Sequence, residues 1–320
     1  MPTSKPRIVI TDYTFADLER ERQVIEGAGG QLTVLQCRTE EDVIRQASDA
    51  DGLLVQWAPI TRSVIDRLRN CKVIVRYGIG IDNVDLAAAR DRGITVCNVP
   101  DYCINEVADH TMALTLALVR QVTATDRTLR TGQWNSQLDR PILAPDQMTF
   151  AAVGFGRTAQ AVLNRARAFR FKLATFDPYL PPSVQVAEDI AVLTWDELLS
   201  QADVISLHVP LSGKTHHLID GAVLARMKPQ ALLINTARGG LVDTVALVDA
   251  LDKGVIAGAG LDVFEMEPIG ADHPLLSCQK VIITPHVAWY SEQSMMMLQR
   301  MAAEEVIRPL IGQVVRNKVV

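Results

Sequence analysis

A glycine-containing turn between an apolar run and a helical pattern constrains this chain more than any other feature. The apolar run covers residues 148–153, and the turn after it consists of Gly154, Phe155, Gly156, Arg157, Thr158 and Ala159. The two glycines allow a sharp turn and a close backbone approach to a ligand, while the small Ala159 lets a helix pack tightly on a strand. Unpaired N–H groups at the helix start bind phosphates. The segment fits the pyrophosphate turn of a dinucleotide fold, although an ordinary tight strand–helix turn has the same pattern.

An acidic residue lies where the ribose of a dinucleotide would be bound. Asp177 follows the next apolar run, about 20 residues beyond the turn. A carboxylate there binds the ribose hydroxyls of NAD and repels the 2′-phosphate of NADP. Asp177 therefore favours NAD as the cofactor, and a turn residue before Pro178 is the structural alternative.

Composition excludes several classes of protein. The 320 residues suffice for about two domains of ~150 residues each. A net charge of −5 argues against a nucleic-acid partner, and no apolar run reaches the ~20 residues of a membrane span. The five cysteines are scattered without a Cys-x-x-Cys pair, and residues 1–7 are polar. We expect a cytoplasmic protein with reduced thiols and no metal.

Short apolar runs alternate with helical patterns in two series, at residues 7–97 and 149–284. Strands separated by helices of ~10–15 residues indicate mostly parallel sheets with helices on both faces. We therefore expect an α/β chain with two doubly wound parallel-sheet domains. The first is a flavodoxin-like substrate domain at residues 1–101 plus 291–320, and the second is a Rossmann NAD domain at residues 102–290.

Two long helical patterns lie outside this alternation. Apolar spacing predicts one helix over residues 104–130, long enough at ~1.5 Å per residue to cross a domain. A second pattern covers residues 291–311. We expect this helix to return to the first domain, and a cap on the second domain is the alternative.

Three chemically distinct side chains follow strands of the second series. Arg238, Glu267 and His286 come after the runs at 231–235, 258–262 and 281–284. Because the carboxyl ends of parallel strands share one edge of the sheet, where ligands bind, we expect the three to converge. The planar guanidinium of Arg238 suits a carboxylate. A carboxylate beside an imidazole stabilises the imidazolium, so His286 can protonate a carbonyl or deprotonate an alcohol.

The other five histidines are weaker candidates. His208 ends a strand and could line the cofactor cleft, whereas His110 lies on the long helix and fits a structural role. Loop or helix-start positions are expected for His216, His217 and His273.

Further motifs bring the chain close to a known family. They cover residues 75–83, 96–103, 235–243, 261–264 and 284–293. With these motifs in order over nearly its full length, the chain resembles the NAD-dependent D-2-hydroxyacid dehydrogenases, and most of all their C-terminal binding protein branch. The resemblance implies that Arg238, Glu267 and His286 form a catalytic trio. It selects Glu267 over Glu265 because Glu267 directly precedes Pro268.

The resemblance also implies ligand-binding residues. The nicotinamide side would be lined by Val209, Pro210, Thr236, Ala237 and Asp262, and Thr215, Arg238 and His286 would also bind the cofactor. The substrate carboxylate would meet Arg76, Gly78 and Ile79, besides Arg238 and His286. Trp289 would wall the pocket for the substrate side chain, with plain packing as the alternative. A homodimer is implied, with the contact formed by the helix from Ile104 and the loop after it.

The implied reaction is reversible hydride transfer between NAD(H) and a small 2-oxo or D-2-hydroxy acid. D-3-phosphoglycerate dehydrogenase is an alternative in the same family, but the loop at 56–61 has no basic residue before Arg62 to meet a phosphate. Formate dehydrogenases are a related group that carries Gln at the position of Glu267, so Glu267 argues against this activity. An NADH-sensing, corepressor-like interaction protein is an alternative of another class, for which we would expect long disordered tails.

Overall fold

The computed structural model describes residues 5–134 and 140–320. It divides into two compact units, Met1–Cys103 with Ser291–Val320, and Ile104–Tyr290. Part of the polar N-terminal segment and part of the loop expected at a dimer contact lie outside the described residues. None of the described helices has the length and apolar character needed to span a membrane.

The N-terminal part of the first unit alternates strictly between strands and helices. Its elements are β1 (Arg7–Ile10), α1 (Glu19–Gly27), β2 (Gln31–Val34), α2 (Glu40–Ala47), β3 (Gly52–Val55), α3 (Arg62–Arg67), β4 (Val73–Arg76), α4 (Leu86–Asp91) and β5 (Thr95–Cys97). The strands form one parallel sheet in the order β2-β1-β3-β4-β5. This is the order of a flavodoxin-like fold. Every residue of β3 and β4 is buried, as expected for central strands covered on both faces.

The second unit begins with two helices and continues with a longer alternation. Its elements are α5 (Ile104–Val119), α6 (Val122–Arg130), β6 (Thr149–Val153), α7 (Arg157–Ala168), β7 (Lys172–Phe176), β8 (Ile190–Val192), α8 (Trp195–Gln201), β9 (Val204–Leu207), α9 (Gly221–Leu224), β10 (Leu232–Asn235), α10 (Thr244–Asp252), β11 (Gly258–Leu261) and β12 (Val281–Ile283). Short 3-10 turns occur at Pro145–Gln147, Gly239–Leu241 and Pro274–Leu276. The seven strands form a parallel sheet in the order β12-β11-β10-β9-β6-β7-β8. The expected pair of doubly wound parallel sheets is confirmed.

The chain ends with α11 (Glu292–Ile307) and a 3-10 turn at Arg308–Ile311. Ser291 starts the helix, because its hydroxyl accepts a hydrogen bond from the backbone N–H of Ser294 at 2.9 Å. The helix packs on α1, β3 and β4 of the first unit and buries Leu298, Val306 and Ile307 there.

The single helix expected over residues 104–130 is wrong, because the structure breaks it into α5 and α6. Gln121 lies between them with a left-handed φ of 54°. Its side chain is only 7% exposed, and its Nε2 donates to the carbonyl oxygen of Arg140 at 2.8 Å. This distant contact holds the side chain at the bend, which no glycine or proline marks in the sequence.

The order of the second sheet places a ligand crevice beside the glycine turn. The chain runs outward from β6 to β7 and β8, then returns to form β9 on the other side of β6. Such a reversal separates the loops that leave neighbouring strands, and open α/β sheets bind ligands in the gap. The turn at Gly154 leaves β6 at this point.

Candidate active site

Gly154 makes the sharp turn at the end of β6. Its φ is +95°, a backbone conformation that favours glycine, and its N–H donates to the carbonyl oxygen of Phe176 at 2.7 Å. A methyl group at this position would lie 2.8 Å from the carbonyl oxygen of His208. Any larger residue would therefore push apart the ends of β6 and β9.

Gly156 forms the start of a cradle for phosphate. It is the N-cap of α7, a helix of 12 residues. Among the residues that the structure describes, no atom lies within 4 Å of a methyl group built on Gly156. Arg157 and Thr158 occupy the first turn of the helix, and Ala159 is fully buried. The N–H groups of the first turn and the open space beside Gly156 fit a pyrophosphate.

Asp177 is connected to the turn itself. One carboxylate oxygen accepts the N–H of Phe155 at 3.0 Å, and the other accepts the N–H of Tyr179 at 2.9 Å. The negative charge therefore lies at the end of β7, beside the glycine turn. This is the position at which a ribose is held and a 2′-phosphate is repelled.

The segment after β9 forms the opposite wall of this crevice. The side chain of Val209 would lie 3.0 Å from a methyl group built on Gly154. The Thr215 hydroxyl donates to the carbonyl oxygen of Pro210 at 2.7 Å and accepts the Ser212 N–H at 2.8 Å, so it closes the loop on itself. Burial lowers the pKa of His208 to about 4, which keeps its imidazole neutral near pH 7.

The turn after β10 carries Arg238. The side chain of Asn235 shapes this turn, because its Nδ2 donates to the carbonyl oxygen of Arg238 at 2.9 Å and its Oδ1 accepts the Ala237 N–H at 3.1 Å. Nη1 of Arg238 donates to the carbonyl oxygen of Ala237 at 2.7 Å. The neighbouring Thr236 is buried, and its hydroxyl lies 2.9 Å from that of Thr111 on α5.

His286 and Glu267 form a close pair. Nδ1 of His286 lies 2.6 Å from Oε2 of Glu267, and the other carboxylate oxygen accepts the Phe264 N–H at 2.8 Å. Burial raises the pKa of Glu267, but the hydrogen bonds and the positive charges of His286 and Arg238 outweigh it, so this pKa lies below its usual range. Glu267 is therefore an ionised partner for an imidazolium.

The loop that presents His286 is organised by Asp262. This carboxylate is 1% exposed and accepts hydrogen bonds from the Thr284 hydroxyl at 2.5 Å, the Val287 N–H at 3.0 Å and the Ala288 N–H at 2.9 Å. His286 has a left-handed φ of 54°. Residues with such a backbone cluster at functional sites, where the surrounding contacts hold them in place.

Two further side chains complete this loop. The indole Nε1 of Trp289 donates to the carbonyl oxygen of His286 at 2.8 Å. Nε2 of His110, on α5, lies 2.9 Å from the Thr284 hydroxyl. Both residues therefore stabilise the loop on either side of His286.

In the first unit, Arg76 and Gly78 lie at the end of β4. The Arg76 guanidinium lies 5.3 Å from the centre of the Trp57 ring, which favours a cation–π contact. A methyl group on Gly78 would lie 1.8 Å from Nη1 of Arg76, and Gly78 has a φ of +132°. Glycine at this position therefore makes room for the guanidinium. The carbonyl oxygen of the exposed Ile79 accepts a hydrogen bond from Asn98 at 2.7 Å.

The chain is similar to several known oxidoreductases. The family profile described as D-isomer specific 2-hydroxyacid dehydrogenase, NAD binding domain, matches residues 112–288. A D-3-phosphoglycerate dehydrogenase of Methanocaldococcus jannaschii is 38% identical over 98% of this chain, which spans 59% of that protein. A glyoxylate reductase of Thermofilum pendens is 38% identical over 86% of this chain and 83% of its own length. The chain belongs to the D-isomer-specific 2-hydroxyacid dehydrogenase family.

Solved structures agree with this assignment. A glyoxylate reductase from Paecilomyes thermophila has a TM-score of 0.88 at 28% identity, and the match covers 100% of this chain and 99% of that one. A D-lactate dehydrogenase from Aquifex aeolicus, complexed with NAD and lactic acid, has a TM-score of 0.87 at 28% identity, covering 98% of this chain and 99% of that one. The expected family, the two-domain α/β fold and an NAD-dependent oxidoreductase are confirmed. The glycine turn and Asp177 lie within the family's NAD-binding domain and fit that cofactor.

Sequence reasoning missed residues that hold the loops of the candidate site residues in place within each unit. Asp12 is one of them, because its carboxylate accepts the N–H groups of Gln56 at 3.1 Å and Trp57 at 2.6 Å and so fixes the loop after β3. Gly239 is another, because a methyl group there would lie 1.8 Å from the carbonyl carbon of Phe264. An Asp just after a strand and a Gly-Gly pair beside Arg238 were the only local signals for these two roles.

Proposed function

We propose that this dehydrogenase interconverts small, unphosphorylated 2-oxo acids and D-2-hydroxy acids with NADH and NAD. The observation that carries the proposal is the 2.6 Å contact between His286 and Glu267 at the ends of neighbouring strands. Arg238 supports it, because its positive charge is near enough to lower the pKa of Glu267. Reduction of a 2-oxo acid requires two groups: a cation that binds the substrate carboxylate, and an imidazole that acts as acid or base.

The residues divide the reaction between them. Bound NADH supplies the hydride that the carbonyl carbon accepts. Arg238 binds the substrate carboxylate and polarises the carbonyl group. His286 gives the proton on Nε2 to the carbonyl oxygen, while Glu267 stabilises the imidazolium through Nδ1 before the transfer. In the reverse direction, His286 takes the hydroxyl proton.

Other residues bind the cofactor and the substrate in this proposal. The turn at 154–158 holds the pyrophosphate, Asp177 the ribose, and Val209, Pro210, Thr215, Thr236, Ala237 and Asp262 line the nicotinamide side. Within the first unit, Arg76, Gly78 and Ile79 bind the substrate carboxylate. Trp289 limits the size of the substrate side chain, and it is the residue that suggests the C-terminal binding protein branch.

A steady-state NADH-oxidation panel tests the proposal. We expect glyoxylate, pyruvate and hydroxypyruvate to be reduced, and His286→Asn to lose ~10²–10⁴-fold in kcat while NADH binding by fluorescence persists. Asn tolerates the left-handed backbone of His286, so the loop is retained. Full turnover in this variant would contradict the role of His286.

D-3-phosphoglycerate dehydrogenase activity is the second candidate, favoured by the relative that is 38% identical. The loop after β3 argues against it, because the first basic residue that follows this loop in the sequence, Arg62, is paired with Asp91 at 2.9 Å. A kcat/KM for 3-phosphohydroxypyruvate above that for hydroxypyruvate would favour this second activity.

The proposal includes a homodimer formed through the helical stretch from Ile104, which comprises α5 and α6, and the loop after it. In α6, all of which the structure describes, none of the nine residues is buried. Val122 and Leu129 of this helix are each 53% exposed. Trp134 follows with 91% exposure. Such an apolar face is typical of an interface. Light scattering should give a dimer that Leu129→Asp weakens, and a monomeric wild type would contradict this.

A cytoplasmic location is also proposed. All five cysteines lie in the described part of the chain and are free thiols there. Reduced cysteines suit the cytoplasm. Cell fractionation tests the location, and recovery of the protein outside the cytoplasm would contradict it.

A further inference from the structure

Three side chains that commonly bind transition metals come together outside the active site. They are His216, His217 and Glu265, and one ligand atom from each lies within 4.8 Å of the other two. We infer that this cluster binds a divalent transition metal ion of the zinc class. Two imidazoles and a carboxylate are a ligand set that zinc uses, and a fourth position remains for water. The expectation of no metal rests on the spacing of the cysteines, and this cluster contains no cysteine.

Glu265 is held in place by its own contacts. Oε1 accepts the backbone N–H of Thr244 at 2.8 Å, and Oε2 lies 2.8 Å from Nε2 of His217. The backbone at Glu265 also passes close to Gly239, because a methyl group built on Gly239 would lie 2.4 Å from the Glu265 N. An ion would replace the proton shared by Glu265 and His217, with a small widening of that gap.

His217 is oriented as a metal ligand. Its φ is 51°, a left-handed value, and its N–H donates to the carbonyl oxygen of Gly240 at 2.8 Å. Nδ1 points to Asp243, with 3.9 Å between Nδ1 and Oδ2. At that distance the contact is electrostatic and not a hydrogen bond, but it places a carboxylate beside the other ring nitrogen, as is usual for histidines that bind metals. This arrangement turns Nε2 of His217 towards Glu265 and the ion.

His216 supplies the third ligand from the surface. Its ring is stacked on that of His217, with 3.9 Å between the centroids and 25° between the planes. Stacked rings do not aim two nitrogens at one ion. Because His216 is exposed, its side chain can rotate to reach the spacing of about 3.3 Å between ligand atoms that a tetrahedral zinc site requires.

The ion would link two segments of the second unit. His216 and His217 belong to the loop after β9, and Glu265 belongs to the segment that also carries Glu267. Binding of an ion to the folded state alone raises the thermal midpoint. Occupancy should therefore stabilise the protein against heat.

The test uses untagged protein stripped with a chelator. Zn²⁺ is titrated by calorimetry, and Co²⁺ is titrated as a visible-absorbing probe. We expect one ion per chain, and at least tenfold weaker binding in His216→Asn and in Glu265→Gln. Zn²⁺ should raise the thermal midpoint of the wild type but not of these variants. Glu188→Gln is the matched control for Glu265→Gln, because it removes an exposed carboxylate outside the cluster, and it should bind like the wild type.

The His216→Asn variant keeps the test decisive. Its side chain is exposed, so the fold should survive, and circular dichroism without metal checks this. Equal affinity in the wild type and His216→Asn would overturn the proposal. Loss of binding in Glu188→Gln would also overturn it, because the ion would then be bound elsewhere.

Discussion

Nδ1 of His286 and Oε2 of Glu267 lie 2.6 Å apart, although the two residues follow different strands. Each of the two residues is also held by a second hydrogen bond. The other oxygen of Glu267 accepts the Phe264 N–H, and the backbone N–H of His286 donates to the carbonyl oxygen of Asp262 at 2.8 Å. A proton donor held at this geometry needs little reorganisation in the transition state.

We predict that Glu267→Gln lowers kcat by about 100-fold while the Kd for NADH changes little, since acid–base catalysis contributes 10²–10⁴-fold. The amide can keep a hydrogen bond to His286 but lacks the charge that stabilises the imidazolium. Stopped-flow reduction of glyoxylate at a fixed pH measures the chemical step. Glu188→Gln, at an exposed position, is the control, and an equal loss in both variants would count against the pair.

A second prediction concerns the packing between Gly239 and the segment that carries Glu267. In Gly239→Ala the new methyl would lie 1.8 Å from the carbonyl carbon of Phe264 and 1.9 Å from its oxygen. Backbone must move, and a displacement of about 1 Å can cost ~10²-fold in rate. We expect that loss in kcat, with NADH binding retained.

Gly213→Ala is the matched control for this effect. No described atom lies within 4 Å of a methyl built on Gly213. Its kcat should equal that of the wild type. Normal activity in Gly239→Ala would show that the contact does not position Glu267.

The third prediction concerns the choice of cofactor. Asp177→Asn keeps an oxygen that can accept the Phe155 N–H, which Asp177 binds at 3.0 Å, but it removes the negative charge. The preference for NADH over NADPH should fall on the order of tenfold, because a 2′-phosphate is no longer repelled. The ratio of kcat/KM values for the two cofactors measures this. Asp189→Asn, which changes an exposed carboxylate, should leave the ratio unchanged, and an unaltered ratio in Asp177→Asn would contradict the role.

The sheets could be predicted from the sequence, because most strands fall on short, mainly apolar runs between turn residues. Two features could not. Strand β8 has only three residues, of which Ile190 alone is buried, so it is too short to show an alternating pattern in the sequence. Gln121 has a left-handed backbone and bonds to Arg140, 19 positions away, and its residue type predicts neither the bend nor the bond.

The candidate site also contains residues that the sequence predicts and residues that it does not predict. Arg238, Glu267 and His286 could be proposed because each follows a visible strand end. Asp12 could not, because its bond to the Trp57 N–H spans 45 positions and depends on which strands are neighbours. Short-range patterns locate reactive side chains, whereas the contacts that orient them depend on tertiary packing.

A last prediction concerns a carboxyl group that is fully buried in the first unit. Glu21 accepts hydrogen bonds from the Tyr77 hydroxyl at 3.0 Å and from Nε2 of Gln299 at 3.1 Å. Burial nevertheless raises the pKa of Glu21 above its usual range. The folded state therefore holds this proton more tightly than the unfolded state, and Glu21 lowers the stability as pH rises from about 4.3 through the folded pKa.

We expect Glu21→Gln to remove this effect, because a neutral amide does not ionise and can bond to both Tyr77 and Gln299. Urea unfolding at pH 5 and pH 8 measures it as the difference in the free energy of unfolding between variant and wild type, which should shift in favour of Glu21→Gln at the higher pH. Tyr77→Phe should act in the opposite direction, costing ~1.5–3 kcal/mol where Glu21 is ionised, since the charge loses a donor. A difference between Glu21→Gln and wild type that stays constant with pH would mean that the buried carboxyl does not change its protonation on folding.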